Sequence, residues 1–160
     1  SQLQVKGPNI MLGYLRADAP GVLQPPQDGW YDTGDVVRID DEGFVTILDR
    51  VKRFAKVAGE MVSLAAVEDL ARRVWPEAQH AVVALADARR GEQLVLLTTA
   101  AAASRDQLLN AARQAGMAEL MLPRRIVMAE RIPLLPSGKT DYRGARCEVM
   151  RVCGKDAGEA

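Results

Sequence analysis

Hydrophobic positions along this chain change their spacing repeatedly, and each change predicts an element. Leu3-Gln-Val-Lys-Gly-Pro8 reads as a short strand stopped by Gly-Pro. Val36-Val-Arg-Ile-Asp40 and Phe44-Val-Thr-Ile-Leu48 are joined by Asp41-Glu-Gly43, the clearest hairpin in the sequence. Leu64, Val67, Leu70 and Val74 then mark one helical face, with Ser63 placed to cap it and Pro76 to end it. Ala81–Leu85 and Leu94–Thr98 are apolar runs flanking an Asp87–Gly91 turn, and both read as strands. Ser104-Arg-Asp-Gln107 is a capping box opening a second helix, which Gly116 closes. Arg125–Met128 is a weaker strand, and Thr140 or Asp141 caps a last helix expected to reach about Val152. From about Arg50 the order is strand, helix, strand, strand, helix, strand, helix. That order predicts a small α+β domain, a small mixed sheet with packed helices. Gly154–Ala160 is expected to fray.

Composition narrows the function classes. The 21 basic and 21 acidic residues cancel, so charge gives no case for nucleic-acid binding. No apolar run approaches the ~20 residues of a membrane helix, and no membrane segment is expected. Cys147 and Cys153 have no zinc-type spacing, and His80 is the single histidine, so no metal site is expected and both cysteines read as reduced thiols. Trp30 and Trp75 read as packing residues, Glu60 as loop polarity and Glu68 as helix surface.

Three stretches hold candidate chemistry. Arg50, Lys52, Arg53 and Lys56 fall close together, and in an extended chain Arg50, Lys52 and Lys56 share a face. A solvated edge strand accounts for them equally well. Tyr31-Asp-Thr-Gly-Asp35 reads as a loop closing onto a strand, where a carboxylate can accept hydrogen bonds from a vicinal diol such as a ribose; an ordinary Asp-Gly turn is the alternative. Pro136-Ser-Gly-Lys139-Thr140 looks like the end of a phosphate-binding P-loop, but the required earlier glycine is Pro133, which has no N–H to offer phosphate. What remains is a lysine on a glycine-sharpened loop.

Taken in order, Gly7-Pro-Asn-Ile-Met-Leu-Gly-Tyr14, Tyr31–Asp35, Asp49-Arg50-x-Lys52, Gly59-x-x-Val62, Gly91-Glu92 and Ser137-Gly-Lys139 resemble the acyl-adenylate-forming superfamily across nearly the whole chain. Within it, Lys52–Leu64 and Pro133–Lys139 look most like the ligase half of the bifunctional acyl-ACP synthetase/2-acylglycerophosphoethanolamine acyltransferases.

The resemblance implies that residues 1–49 are the end of a large N-terminal adenylation domain, carrying the β-hairpin. Residues 50–152 would be a mobile C-terminal domain, followed by a tail over 153–160. It implies that Asp35 and Arg50 bind the ribose of ATP, that Lys52 is the hinge, that Gly59 lines a pantetheine channel and that Lys139 is catalytic in adenylation. It further implies ATP and Mg2+, a fatty acid substrate, acyl carrier protein (or CoA) as acceptor, and a lysophospholipid reached through the parent. Arg53, Arg72 or Arg73 would help to dock an acidic carrier. The parent would lie on the cytoplasmic side of a bacterial inner membrane, and the chain alone is expected to be an inactive piece. An acyl-CoA ligase and a noncatalytic carrier-docking module are the alternatives, and the presence of both Lys139 and Asp35 argues against the module. Asp49 stands where many members have glycine.

Overall fold

A computed structural model describes residues 1–156, and the chain divides into two compact units, Ser1–Arg53 and Phe54 onwards. Each is an α+β or all-β assembly with its own sheet.

The first unit is built from β1 (Gln2–Val5), β2 (Tyr14–Leu15), β3 (Leu23–Gln24), β4 (Tyr31–Ile39) and β5 (Val45–Arg50). β1, β4 and β5 form an antiparallel sheet in that order, and β2 pairs with β3 separately. The expected hairpin is β4–β5. Asp40 closes its turn, its carboxylate accepting the N–H groups of Glu42 (3.1 Å) and Phe44 (2.8 Å). Tyr31–Asp35, read from sequence as a loop before a strand, forms the first residues of β4. β1 pairs beside this start of β4, Gln4 with Asp32 and Val5 with Tyr31. After β5 the chain makes one 3-10 turn, Val51–Arg53. Residues 50–56 are therefore not one extended strand, and the shared face expected for Arg50, Lys52 and Lys56 does not form.

The second unit contains β6 (Phe54–Val57), β7 (Glu60–Ser63), α1 (Leu64–Val74), β8 (His80–Asp87), β9 (Gly91–Thr98), α2 (Arg105–Gln114), β10 (Arg125–Met128) and α3 (Tyr142–Asp156). β9 is the central strand. β8 lies antiparallel along its whole length, from Asp87↔Gly91 to His80↔Thr98. The other edge of β9 carries β10 in parallel at Val95–Thr98 and touches β6 at Gly91. The strand pattern read from sequence lacked the β6–β7 hairpin, whose two-residue turn Ala58-Gly59 sits between Val57 and Glu60.

Period-two alternation in β8 and β9 sorts the core into two layers. Val82, Leu94 and Leu96 face α1 and α2, packing with Val67, Leu70, Leu108 and Ala112. Ala81, Val83, Val95 and Leu97 face α3, packing with Ala145 and Val149. The caps expected from sequence form. Ser63 accepts the Ala66 N–H at 3.2 Å, and Ser104 and Gln107 make the reciprocal box. Asp141, rather than Thr140, caps α3 by accepting from Arg143 (3.1 Å) and Gly144 (3.0 Å). α3 continues to Asp156, beyond the expected end near Val152, with Gly154 inside it. The fraying expected for the tail beyond Asp156 lies outside the described residues.

Candidate active site

The first unit brings Asp35 and Arg50 together. They are register partners across β4 and β5, and the hairpin therefore fixes their spacing. Arg50 Nε lies 2.7 Å from Asp35 Oδ1, and its Nη1 donates to the Thr33 carbonyl at 3.1 Å. The carboxylate side chain is 13% exposed and the guanidinium 67%. Gly34, at φ +71°, turns the strand between them and Thr33. Two side chains brace the turn. Thr33 Oγ1 accepts the Asp35 N–H at 3.1 Å while donating to the Leu3 carbonyl, and Asp32 accepts the Gly34 N–H at 2.8 Å. The Gln2 amide, and then the Gly34 N–H, hold the Asp32 carboxyl below the usual carboxylate range. The result is a largely shielded carboxylate with Oδ1 on an arginine, held on a braced strand. Such a group can accept the two hydroxyls of a ribose.

Lys52 lies exposed in the 3-10 turn that ends the first unit. Gly59 is the tip of the β6–β7 hairpin. Ala58 (φ +50°) and Gly59 (φ +91°) both take left-handed conformations, as a type I′ turn requires. The hairpin is tied to β9 and to the turn just before it. Ala58 N–H donates to the Arg90 carbonyl (2.8 Å), and Lys56 N–H donates to Glu92 Oε2 (2.6 Å). Glu92 was part of a sequence motif with no role attached; its role here is to clamp the hairpin to the central strand.

Lys139 is exposed on a loop closed by backbone bonds. Leu135 N–H donates to the Lys139 carbonyl and Gly138 N–H to the Leu135 carbonyl, both at 2.8 Å. A Leu134↔Thr140 bridge and the Asp141 N–H on the Pro133 carbonyl (2.9 Å) complete it. Among the described residues the Lys139 ammonium has no ion pair. The loop therefore presents a cation that is free to meet a ligand.

Other readings of the sequence change. Glu68 is not helix surface: it is 2% exposed. Its place four residues after Leu64 and three before Ala71 puts it on the buried face, and that spacing was the available signal. Its Oε1 accepts the Val82 N–H (2.7 Å) and its Oε2 the Tyr142 hydroxyl (3.0 Å). Arg72 pairs with Asp69 and Glu68. His80 is structural, buried between the Thr98 hydroxyl (2.9 Å) and the Trp75 carbonyl (3.0 Å). Trp75 packs as expected. Trp30 is half exposed, with Lys6 over its ring at 5.8 Å. Among the described residues no three His, Cys, Asp or Glu side chains gather as metal ligands, and no helix is long and apolar enough to cross a membrane.

No family model matches the chain. Known proteins do. A 2-hydroxy-7-methoxy-5-methyl-1-naphthoate–CoA ligase of Streptomyces carzinostaticus is 30% identical over 153 residues, 94% of this chain and 27% of the relative. The medium-chain fatty-acid–CoA ligase of Escherichia coli is 29% identical over 158 residues, 96% of this chain and 28% of that enzyme. The structure of o-succinylbenzoate-CoA synthetase from Bacillus subtilis, solved with its acyl-adenylate intermediate, superposes with TM-score 0.71 at 27% identity, over 89% of this chain and 29% of that one. The chain is related to the adenylate-forming ligases. Its fold is that of adenylate-forming enzyme domains, and the match is to the C-terminal part of acyl- and aryl-CoA ligases. It spans little more than a quarter of the length of these relatives.

Proposed function

We propose that this chain is the C-terminal part of an ATP-dependent ligase that activates a fatty acid as its acyl-adenylate and passes the acyl group to a pantetheine thiol. The observation that carries this reading is the half-shielded Asp35–Arg50 pair on a braced strand, with Lys139 offered on a separate closed loop. Asp35 accepts the ribose hydroxyls of ATP, and Arg50 holds Asp35 in place. Attack of the carboxylate on the α-phosphate adds negative charge to the nonbridging oxygens, and the Lys139 ammonium stabilises it. Pyrophosphate leaves, and the pantetheine sulfur then attacks the acyl carbonyl and expels AMP. Magnesium accompanies ATP chemistry, and no residue of this chain is assigned to it.

The two steps ask for different surfaces, so residues up to 49 are assigned to the large domain and those from 50 to a mobile one. Lys52 is the pivot, and the Gly59 hairpin tip lines the pantetheine path. We further assign acyl carrier protein as the acceptor and a lysophospholipid as the onward acceptor in the parent. Both rest on the resemblance of Lys52–Leu64 and Pro133–Lys139 alone. CoA is the second reading, favoured by relatives that are themselves CoA ligases.

The test is fatty-acid-dependent pyrophosphate release by the complete ligase, with the thioester product identified when carrier protein and CoA are supplied together. Pyrophosphate release with acyl carrier protein loaded supports the full reading. Loading of CoA alone overturns the carrier assignment. No pyrophosphate release with any fatty acid overturns the ligase reading and leaves a docking module.

A further inference from the structure

We infer that Glu68 is a positioning residue for the Lys139 loop, acting through Tyr142 across the open edge of the sheet. This rests on the assignment of Lys139 to adenylation. β8 is an edge strand, because among the described residues β9 is its one strand partner. An edge strand leaves alternate N–H groups without ladder partners. Glu68, rising from α1 on one face of the sheet, meets that edge with Oε1 on the Val82 N–H. Its Oε2 passes the edge and accepts the hydroxyl of Tyr142, the first residue of α3, which packs on the opposite face. Arg72 Nη2 stands 3.5 Å from the same oxygen and adds a donor from α1 itself. One buried carboxylate thus ties α1, the β8 edge and α3.

Tyr142 lies three residues beyond Lys139. The intervening backbone is stiff: Asp141 donates its N–H to Pro133 and caps α3 with its carboxylate, and Lys139 closes the loop on Leu135. A displacement of the α3 start therefore carries the Lys139 backbone with it. A lysine side chain is itself flexible, so the place of its ammonium depends on where that backbone is held. Loss of the tie lets the cation drift from the position where charge develops, and misplacement of about 1 Å can cost on the order of 100-fold in rate. An apolar residue at position 68 would bury as well, so burial alone does not explain a carboxylate with donors from three elements.

The experiment compares Tyr142→Phe and Glu68→Gln with the parent in the complete ligase. Adenylation and transfer from supplied acyl-adenylate are measured separately. Tyr142→Phe removes one hydroxyl and leaves the ring to pack. It is expected to lower kcat for adenylation by about 10- to 100-fold, with KM for ATP within about twofold and transfer unchanged. Glu68→Gln keeps an acceptor for Val82, and its amide nitrogen can donate to the Tyr142 oxygen, so it should lose less adenylation than Tyr142→Phe. In a Lys139→Ala background, Tyr142→Phe should add nothing, since its effect passes through the lysine. Equal loss in both half-reactions, or full additivity with Lys139→Ala, overturns the inference. If Lys139→Ala itself spares adenylation, the role of Lys139 fails instead. The tie is then judged by hydrogen exchange alone. Tyr142→Phe should speed exchange of the Leu135 and Asp141 amides by about tenfold while the Leu96 amide keeps its rate, and no change at Leu135 and Asp141 overturns it.

Discussion

Asp35 shows how one side chain can be poised by its neighbours without being locked by them. Its Oδ1 faces Arg50 across the hairpin, yet the guanidinium is two-thirds exposed, so solvent screens the pair and its contribution to stability is below about 1 kcal/mol. The pair is worth more to a ligand than to the fold. Asp35→Asn in the complete ligase should therefore raise KM for ATP by about tenfold, the cost of weakening charged hydrogen bonds to two hydroxyls, while Tm moves by no more than a few degrees. ATP dependence of pyrophosphate exchange checks this. An unchanged KM would remove Asp35 from the nucleotide site. Short motifs mark Asp35, Arg50 and Lys139 as candidates in the sequence. Glu68 was not legible there, although its spacing from Leu64 and Ala71 set it on the inner face, because a charged residue in a helix is ordinarily solvent-facing.

At the scale of elements, the β6–β7 turn holds two left-handed residues, and only one is glycine. Ala58 at φ +50° pays the steric cost of its Cβ, whereas asparagine is preferred at this position of a type I′ turn. Ala58→Asn should stabilise the second unit by about 0.5 kcal/mol. Gly59→Ala should destabilise it by about 1–2 kcal/mol through backbone strain alone, since an added Cβ would meet no atom within 4 Å. Urea midpoints of the two variants should move in opposite directions, and a shift of the same sign would contradict the turn assignment. Lys52→Pro tests the linker by fixing φ in the 3-10 turn and restricting Val51. Thioester formation should suffer more than adenylation, and equal rates for both steps would place the pivot elsewhere. Elements defined by local signals were readable: the turn over Asp41–Gly43, the Ser63 cap and the Ser104–Gln107 box all sit where their residue types place them. The β6–β7 hairpin was missed because Ala58-Gly59 is a weak turn signal. Its clamp by Glu92 joins residues 36 positions apart, which no local pattern encodes.

At the scale of the molecule, the two units differ in how much core they own. Of the buried hydrophobic side chains, Val37 alone lies in Ser1–Arg53, while the second unit has two packed layers around β8 and β9. Ile39, Phe44, Ile47 and Leu48 are exposed on the first unit. Residues from Phe54 onwards should therefore fold alone with a cooperative thermal transition, and residues 1–53 alone should give none. Calorimetry of the two separate pieces checks this; a cooperative transition in the first piece would contradict it. The same division bears on activity, because Asp35 and Lys139 belong to different units and serve one reaction under the proposal. The most direct measurement is made on Lys139→Ala in the complete ligase, with adenylation followed by ATP–pyrophosphate exchange and transfer followed from supplied acyl-adenylate. Exchange should fall by about 10²–10³-fold while transfer keeps its rate. Equal loss in both half-reactions, or undiminished exchange, would contradict the account.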